Sequence, residues 1–289
     1  MYVHIFSVEN MAEIPTCIED LSKEWLHKTL SEALKVKNIE ILELKPISSI
    51  GYLSQALKAT FKVKDSDHPE KIFIKINLSD DSHFTFVGKH GIYLTEIRSY
   101  QEILPALIKY EIEQFGKSKL KKLIPTYFAG NHSVDKEDGI HRFFLILEDL
   151  SEDYHLTFFN YSKEADVALH KPDMDFHIKC LESIAYFHVI SYSYGKVNST
   201  DYTEFNTMLH QRLLNEKIEK VKSNLNLLKE DMTKMKLDLK MNEAMTNLEK
   251  CNIMDILPKY LDLSNPMFLS HGDYWSGNVM MHNKNKDCK

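Results

Sequence analysis

The sequence predicts an α+β fold: a small antiparallel sheet with one inserted helix in the first half, and mainly helices in the second. Three observations carry this. Apolar and polar residues alternate through successive stretches between Ile39 and Leu78, the period of half-buried strands. A segment of helical period begins near Gly91, after the third of these stretches. From Lys196 to Leu257 there is neither glycine nor proline, the two residues that most disfavour helices.

The elements follow in order. Ile18 to Leu34 spaces Ile18, Leu21, Trp25, Leu26, Leu30 and Leu34 as one helix face, with Thr16 as the expected N-cap. Ile39 to Ile47 reads as a strand. Tyr52 to Lys64 reads as a second, with Leu57, Ala59, Phe61 and Val63 on one face and Lys58, Thr60 and Lys62 on the other. The polar turn Asp65 to Glu70 leads into a third, Lys71 to Leu78, which closes an antiparallel hairpin. On it Ile72, Ile74 and Ile76 share one face, and Phe73 and Lys75 the other. The helix from Gly91 repeats Tyr93, Ile97, Tyr100, Leu104 and Leu107, and Pro105 is expected to end or kink it. Ile124 to Ala129 and His141 to Glu148 are two more strands, joined by a polar loop from Gly130 to Gly139. Phe176 to Ile190 is an amphipathic helix, and Asp201 to Leu257 holds two or more. Leu214, Ile218, Val221, Leu225, Leu228, Met232, Met235 and Leu239 follow a four-three spacing. We read this as a long helix on its own domain's core in preference to a coiled-coil seam for a partner. Met267 to Ser270 and Val279 to Met281 are short terminal strands.

Composition excludes several function classes. Apolar residues make up 43% and charged residues 27%, as in a globular protein with a core of its own. The net charge is −6, with no strongly basic block, so no nucleic-acid partner is expected, because phosphate neutralisation needs a basic surface. Only Arg98, Arg142 and Arg212 are arginine, which disfavours a site built on bidentate guanidinium clamps. Cys17, Cys180, Cys251 and Cys288 form no C-x-x-C pair or disulfide framework. The start lacks a secretory signal, and no apolar run is long enough to span a bilayer. A cytoplasmic protein without a membrane partner is expected. The fourteen histidines show no zinc-ligand spacing. Gly116-Lys117-Ser118 resembles the end of a P-loop, but residue 111 is Glu where the first glycine belongs.

The chemistry concentrates in Ser270-His271-Gly272-Asp273-Tyr274-Trp275-Ser276-Gly277-Asn278-Val279-Met280-Met281. His-x-Asp, four residues and then Asn is the spacing of a kinase catalytic loop. There Asp273 would accept the proton of an attacking hydroxyl, Asn278 would reach a Mg²⁺ bridging the phosphates, and His271 would brace the loop. Lys75 stands mid-strand, where a phosphate-contacting lysine belongs. Glu96, 21 residues later on the inserted helix, is its natural ion-pair partner, with Glu102 and Glu111 as competitors. Residues 48–54, including Gly51, Tyr52 and Ser54, lie between the first two strands, where a phosphate-covering loop belongs. Glu148-Asp149-Leu150 follows an apolar strand and is placed to present backbone N–H and C=O groups to an adenine edge.

HGDYWSGNVMM, LILEDL, TEIRSYQEILP, IFIKIN and LESIAYFH together resemble the CHK/ecdysteroid-kinase-like group of the aminoglycoside-phosphotransferase and choline-kinase superfamily, from about Ile39 to Met281. The resemblance implies a bilobal, protein-kinase-like fold, with a nucleotide-binding N-lobe at 1–149 and a helical C-lobe with the catalytic loop at 150–289. It implies ATP and Mg²⁺ as cofactors and phosphoryl transfer to a hydroxyl of a small, ecdysteroid- or choline-like acceptor. It assigns Lys75 to the phosphates with Glu96 as partner, Asp273 as base and Asn278 as metal ligand. Glu148, Asp149 and Leu150 become the hinge, and Gly51, Tyr52 and Ser54 the phosphate cover. Members of this group continue to a second metal-binding Asp in a D-F-Q or D-F-D element, which the sequence does not contain. The C-lobe is therefore expected to be incomplete and catalysis by this chain doubtful. The alternative is an inactive pseudokinase or interaction module that engages a protein partner through 201–257.

Overall fold

The computed structural model describes residues 14–15, 18–47, 54–64, 66–77, 92–134, 141–156, 174–200, 204, 227, 230, 269 and 278–282. By internal contacts the chain divides into two units. One comprises Met1–Ser191 with Ser270–Lys289, the other Tyr192–Leu269. In the second, α4 (Met174–Val197) ends and Tyr194 and Leu269 are buried. The other elements among the described residues lie in the first.

A 3-10 turn (Ile18–Asp20) precedes α1 (Lys23–Leu34). The N-cap of α1 is Ser22, not Thr16: its hydroxyl accepts the Trp25 N–H at 3.1 Å, one of the donors a helix start leaves orphaned. Strands β1 (Ile39–Ile47), β2 (Ser54–Val63), β3 (Glu70–Asn77), β4 (Tyr127–Val134) and β5 (His141–Glu148) form one antiparallel sheet in the order β1-β2-β3-β5-β4. The edge strand β1 carries both features that blunt edges. Pro46 lies in it, and a bulge between Ile41 and Glu43 leaves Leu42 as an unmatched, exposed residue whose carbonyl accepts the Lys23 ammonium at 3.0 Å. The other edge, β4, runs through Gly130–Val134, where the sequence suggested a loop. Its pairing with Leu145 to His141 overrides the turn-like composition of those residues.

The central strands are covered on both faces, which is why they are so apolar. On one face Leu57, Ala59, Phe61, Ile72, Ile74, Ile76, Phe144 and Ile146 pack against Leu26, Leu30 and Ala33 of α1, with Trp25 edge-on to Phe144. On the other, Phe143 and Leu145 meet Tyr93 and Ile97 of α2 (Ile92–Arg98), and the Tyr93 and Phe143 rings stack at 3.8 Å.

Pro105 neither ends nor sharply breaks the helical path. A π turn (Ser99–Ile103) follows α2, closed by the Leu104 N–H on the Ser99 carbonyl, and α3 (Leu104–Phe115) continues with Pro105 in its first turn. Proline has no N–H to give Gln101 four residues back, and it is tolerated where a helix begins. The extra residue shifts the apolar face, so Ile103 and Leu107 are fully buried and Leu104 only half so. Gly116 closes α3 in the left-handed region at φ 73°. A 3-10 turn (Leu120–Lys122) leads to β4. After β5 come β6 (Tyr154–Leu156) and α4, and β7 (Met280–His282) pairs antiparallel with β6. β6 has no signature in the sequence, because three residues are too few for a period.

Candidate active site

Lys75 lies on β3 opposite Ala56 of β2 and Leu145 of β5, in the interior of the sheet and not on an edge. Alternation turns it to the face on which α2 packs, because Ile74 and Ile76 fill the α1 face. There its ammonium stands 2.9 and 2.8 Å from the two Glu96 carboxylate oxygens. Both side chains keep a little over a quarter of their exposure, so the pair is shielded but open to a ligand. The competing carboxylates are engaged elsewhere. Glu102 pairs with Arg98 one helical turn back at 2.6 Å. Glu111 is buried and accepts from Ser118, the Lys119 and Leu120 N–H groups and the Tyr186 hydroxyl. Tyr93 and Tyr100 flank Glu96 on its helix. Burial first, and then the negative charge of Glu96, push both phenols well above their ordinary range, so they stay neutral beside the pair.

Glu148 ends β5. Its N–H donates to the Thr126 carbonyl at 2.8 Å, and its carboxylate accepts the Thr126 N–H at 2.9 Å and hydroxyl at 3.1 Å, so this side chain fastens the approach to β4. The Asp149 N–H continues the ladder to Lys71 O at 2.9 Å. Leu150 is buried and its carbonyl accepts the Tyr154 N–H at 2.9 Å. Among the described residues, nothing accepts a hydrogen bond from the Leu150 N–H. Four residues after Leu150 begins β6, and its Leu156 pairs with Met280 of β7, two residues past Asn278. The topology thus ties the strand that follows the 148–150 segment to the strand that follows the histidine-aspartate segment. Val279 and Met281 anchor this ribbon on Phe176 of α4. Asn278 is exposed at its start. His271, Asp273, Gly51 and Tyr52 lie outside the described residues. Ser54 opens β2 opposite Asn77. The 201–257 stretch is described only at Glu204, Leu227 and Glu230.

Sequence reasoning missed Lys58, which reads as one more solvated lysine of an alternating strand. Its Nζ is 3.1 Å from Asp149 Oδ2 and donates to Ser151 Oγ. No helix among the described residues is long and apolar enough to cross a membrane.

Comparison with curated proteins and with solved structures finds no match. The Ecdysteroid kinase-like family matches residues 50–289, a span that takes in Lys75, Glu96, the 148–150 segment and the whole 270–281 loop. With its α+β, kinase-like architecture, the chain belongs to the ecdysteroid kinase-like family.

Proposed function

We propose that the chain is an ATP-dependent small-molecule kinase that transfers the γ-phosphoryl group to a hydroxyl of a small organic acceptor of ecdysteroid- or choline-like kind. The observation that carries this reading is the ion pair between Lys75 on a central strand and Glu96 on the helix packed over it. A lysine held this way presents a fixed positive charge to polyphosphate oxygens without needing to reorganise when the ligand arrives. Residues 1–149 then form the nucleotide-binding lobe, and residues 150–289 supply the catalytic loop and the acceptor side.

Each remaining role follows from donor chemistry. The Leu150 N–H suits a ring-nitrogen acceptor of adenine. Gly51, Tyr52 and Ser54 belong to the segment that covers the phosphates. Bound Mg²⁺·ATP supplies an activated phosphoryl group whose charge the metal partly neutralises, and Asn278 is a neutral oxygen donor suited to that metal. Asp273 takes the proton of the acceptor hydroxyl as its oxygen bonds to the γ-phosphorus and the bond to the leaving ADP oxygen breaks. His271 holds the loop that carries Asp273.

The test has two arms. Calorimetric titration of the full chain with Mg²⁺·ATP should show binding that Lys75→Ala removes. Turnover with a panel of sterol and amino-alcohol acceptors should be lost in Asp273→Asn, since a general base contributes about 10² to 10⁴ in rate. Nucleotide binding without turnover on any acceptor would favour the pseudokinase reading. No binding at millimolar nucleotide would overturn the kinase reading and favour the interaction module.

A further inference from the structure

Lys58 stands on β2 opposite Phe73, two residues along from Ala56, which opposes Lys75. The strand period of two therefore sends its side chain out of the sheet on the Lys75 face. Its ammonium joins a closed set of contacts at the end of β5: 3.1 Å to Asp149 Oδ2, and a hydrogen bond to Ser151 Oγ. Asp149 Oδ1 accepts the Ser151 N–H at 3.0 Å, and the Asp149 N–H is held by Lys71 O at 2.9 Å. The Asp149 side chain is only 10% exposed. Both neighbours of Leu150 are thus fastened to the hairpin that carries Lys75. The Leu150 peptide between them points an N–H that no described group takes up.

We infer that Lys58 is a positioning residue for nucleobase selection: by holding Asp149 and Ser151 it fixes the Leu150 N–H as a donor aimed at the base edge. This rests on the ATP-binding reading above. A fixed N–H donor accepts adenine, whose N1 is an acceptor, and opposes guanine, whose N1 carries a hydrogen. The discrimination lasts only while the peptide cannot turn, and Lys58 ties the side chains on either side of it from the strand, beside the Lys71 carbonyl that holds the Asp149 N–H. The phosphates meet Lys75 on a neighbouring strand and do not depend on this contact.

Titration of the full chain with ATP, GTP and tripolyphosphate, each with Mg²⁺, tests the inference. Lys58→Met should weaken ATP by about tenfold, the equivalent of one hydrogen bond, and GTP and tripolyphosphate by less than about twofold. Asp149→Asn, which keeps the acceptor for Ser151 but loses the charge, should shift selectivity the same way. Lys58→Arg should restore it. Circular dichroism melts identify any variant that has lost its fold, and the milder Asp149→Asn then decides. Equal weakening of all three ligands, or an unchanged preference for ATP over GTP in both variants, would overturn the inference. Lys75→Ala distinguishes this from failure of the underlying reading. If wild-type binding of ATP and tripolyphosphate does not depend on Lys75, the site itself is misassigned and the role of Lys58 falls with it.

Discussion

Replacing Glu111 with alanine should destabilise the fold more than any surface change of similar size. Glu111 is 1% exposed on α3, and its carboxylate accepts four hydrogen bonds: Ser118 Oγ at 2.5 Å, Lys119 N–H at 2.7 Å, Leu120 N–H at 3.1 Å, and the Tyr186 hydroxyl of α4. Leu120 is buried, so its orphaned N–H costs about 1–3 kcal/mol, and the three donors nearer solvent each forfeit about 0.5–1.5 kcal/mol. The total, about 2.5–7.5 kcal/mol, is a large share of the roughly 5–15 kcal/mol that holds a typical protein folded. It corresponds to a fall in Tm of roughly 10 °C at this chain length, read by circular dichroism. Acidity gives a second readout. Burial by itself would raise the Glu111 pKa, but the hydrogen bonds from Ser118, Tyr186, Lys119 and Leu120 outweigh it and hold the group below its ordinary value of 4.5. A carboxyl depressed in the folded state contributes its stability in full above pH 4.5 and loses it as pH falls through the folded pKa. The wild type should therefore lose stability below pH 4.5 more steeply than Glu111→Gln, which has no charge to lose. A Glu111→Ala protein melting within about 2 °C of wild type, less than 1 kcal/mol at this size, would refute the hydrogen-bond accounting.

Gly116→Ala should cost about 1 kcal/mol in urea unfolding, because φ is 73° while an added Cβ meets nothing within 4 Å, so the loss is purely conformational. Ile74→Ala should cost about 2–5 kcal/mol by the same measurement, since Ile74 is fully buried between α1 and the middle of the sheet and the cavity cannot collapse there. Glu96→Gln should leave the melt within about 1 kcal/mol of wild type, as expected for a partly exposed pair, yet weaken Mg²⁺·ATP in a fluorescence titration. An unaltered affinity would show that Lys75 needs no partner to hold its place.

What the sequence made legible depended on which force fixed each feature. Strands β1 and β5 fall on their expected residues, and β2 and β3 within two, because burial against α1 enforces a strict period along Leu57, Ala59, Phe61 and along Ile72, Ile74, Ile76. The Lys75–Glu96 pairing could be read from one lysine on the wrong face of an apolar strand and one helix following it. In three of the failures the deciding partner lies outside the local segment. Gly130–Val134 reads as a loop until β5 pairs with it. Pro105 reads as an end or a kink until a π turn is allowed before it. Glu111 reads as a rival for Lys75, but its ligands come from the turn ahead of β4 and from Tyr186, 75 residues on. Lys58 has no local signature, because its meaning comes from Asp149, 91 positions away. Thr16 and Ser22 both suit a cap, and only the position of the first helical turn separates them.

The π turn gives the Lys75–Glu96 pair its rigidity. A helix that must hold a carboxylate against a strand needs fixing at more than one point, or it swings away when the lysine is solvated. Here α2 is fixed ahead of Glu96 by the Tyr93–Phe143 stack and behind it by Gln101, which lies within the π turn. The Gln101 amide reaches across to the sheet and donates to the Tyr127 hydroxyl and the Gly130 carbonyl, each at 2.9 Å. An ordinary α-turn would rotate Gln101 relative to Glu96, and one side chain would lose its target. Gly130 is part of the same fit. A Cβ there would come within 3.2 Å of the Phe144 carbonyl and within 3.4 Å of the Tyr127 ring, which also stacks on Tyr100. Pro105 has no N–H to give the Gln101 carbonyl and its ring crowds that carbonyl, which favours the wider turn. Anchored on both sides, Glu96 is held against Lys75 by the fold itself, so on the proposed reading the charge that a nucleotide would meet is fixed in advance.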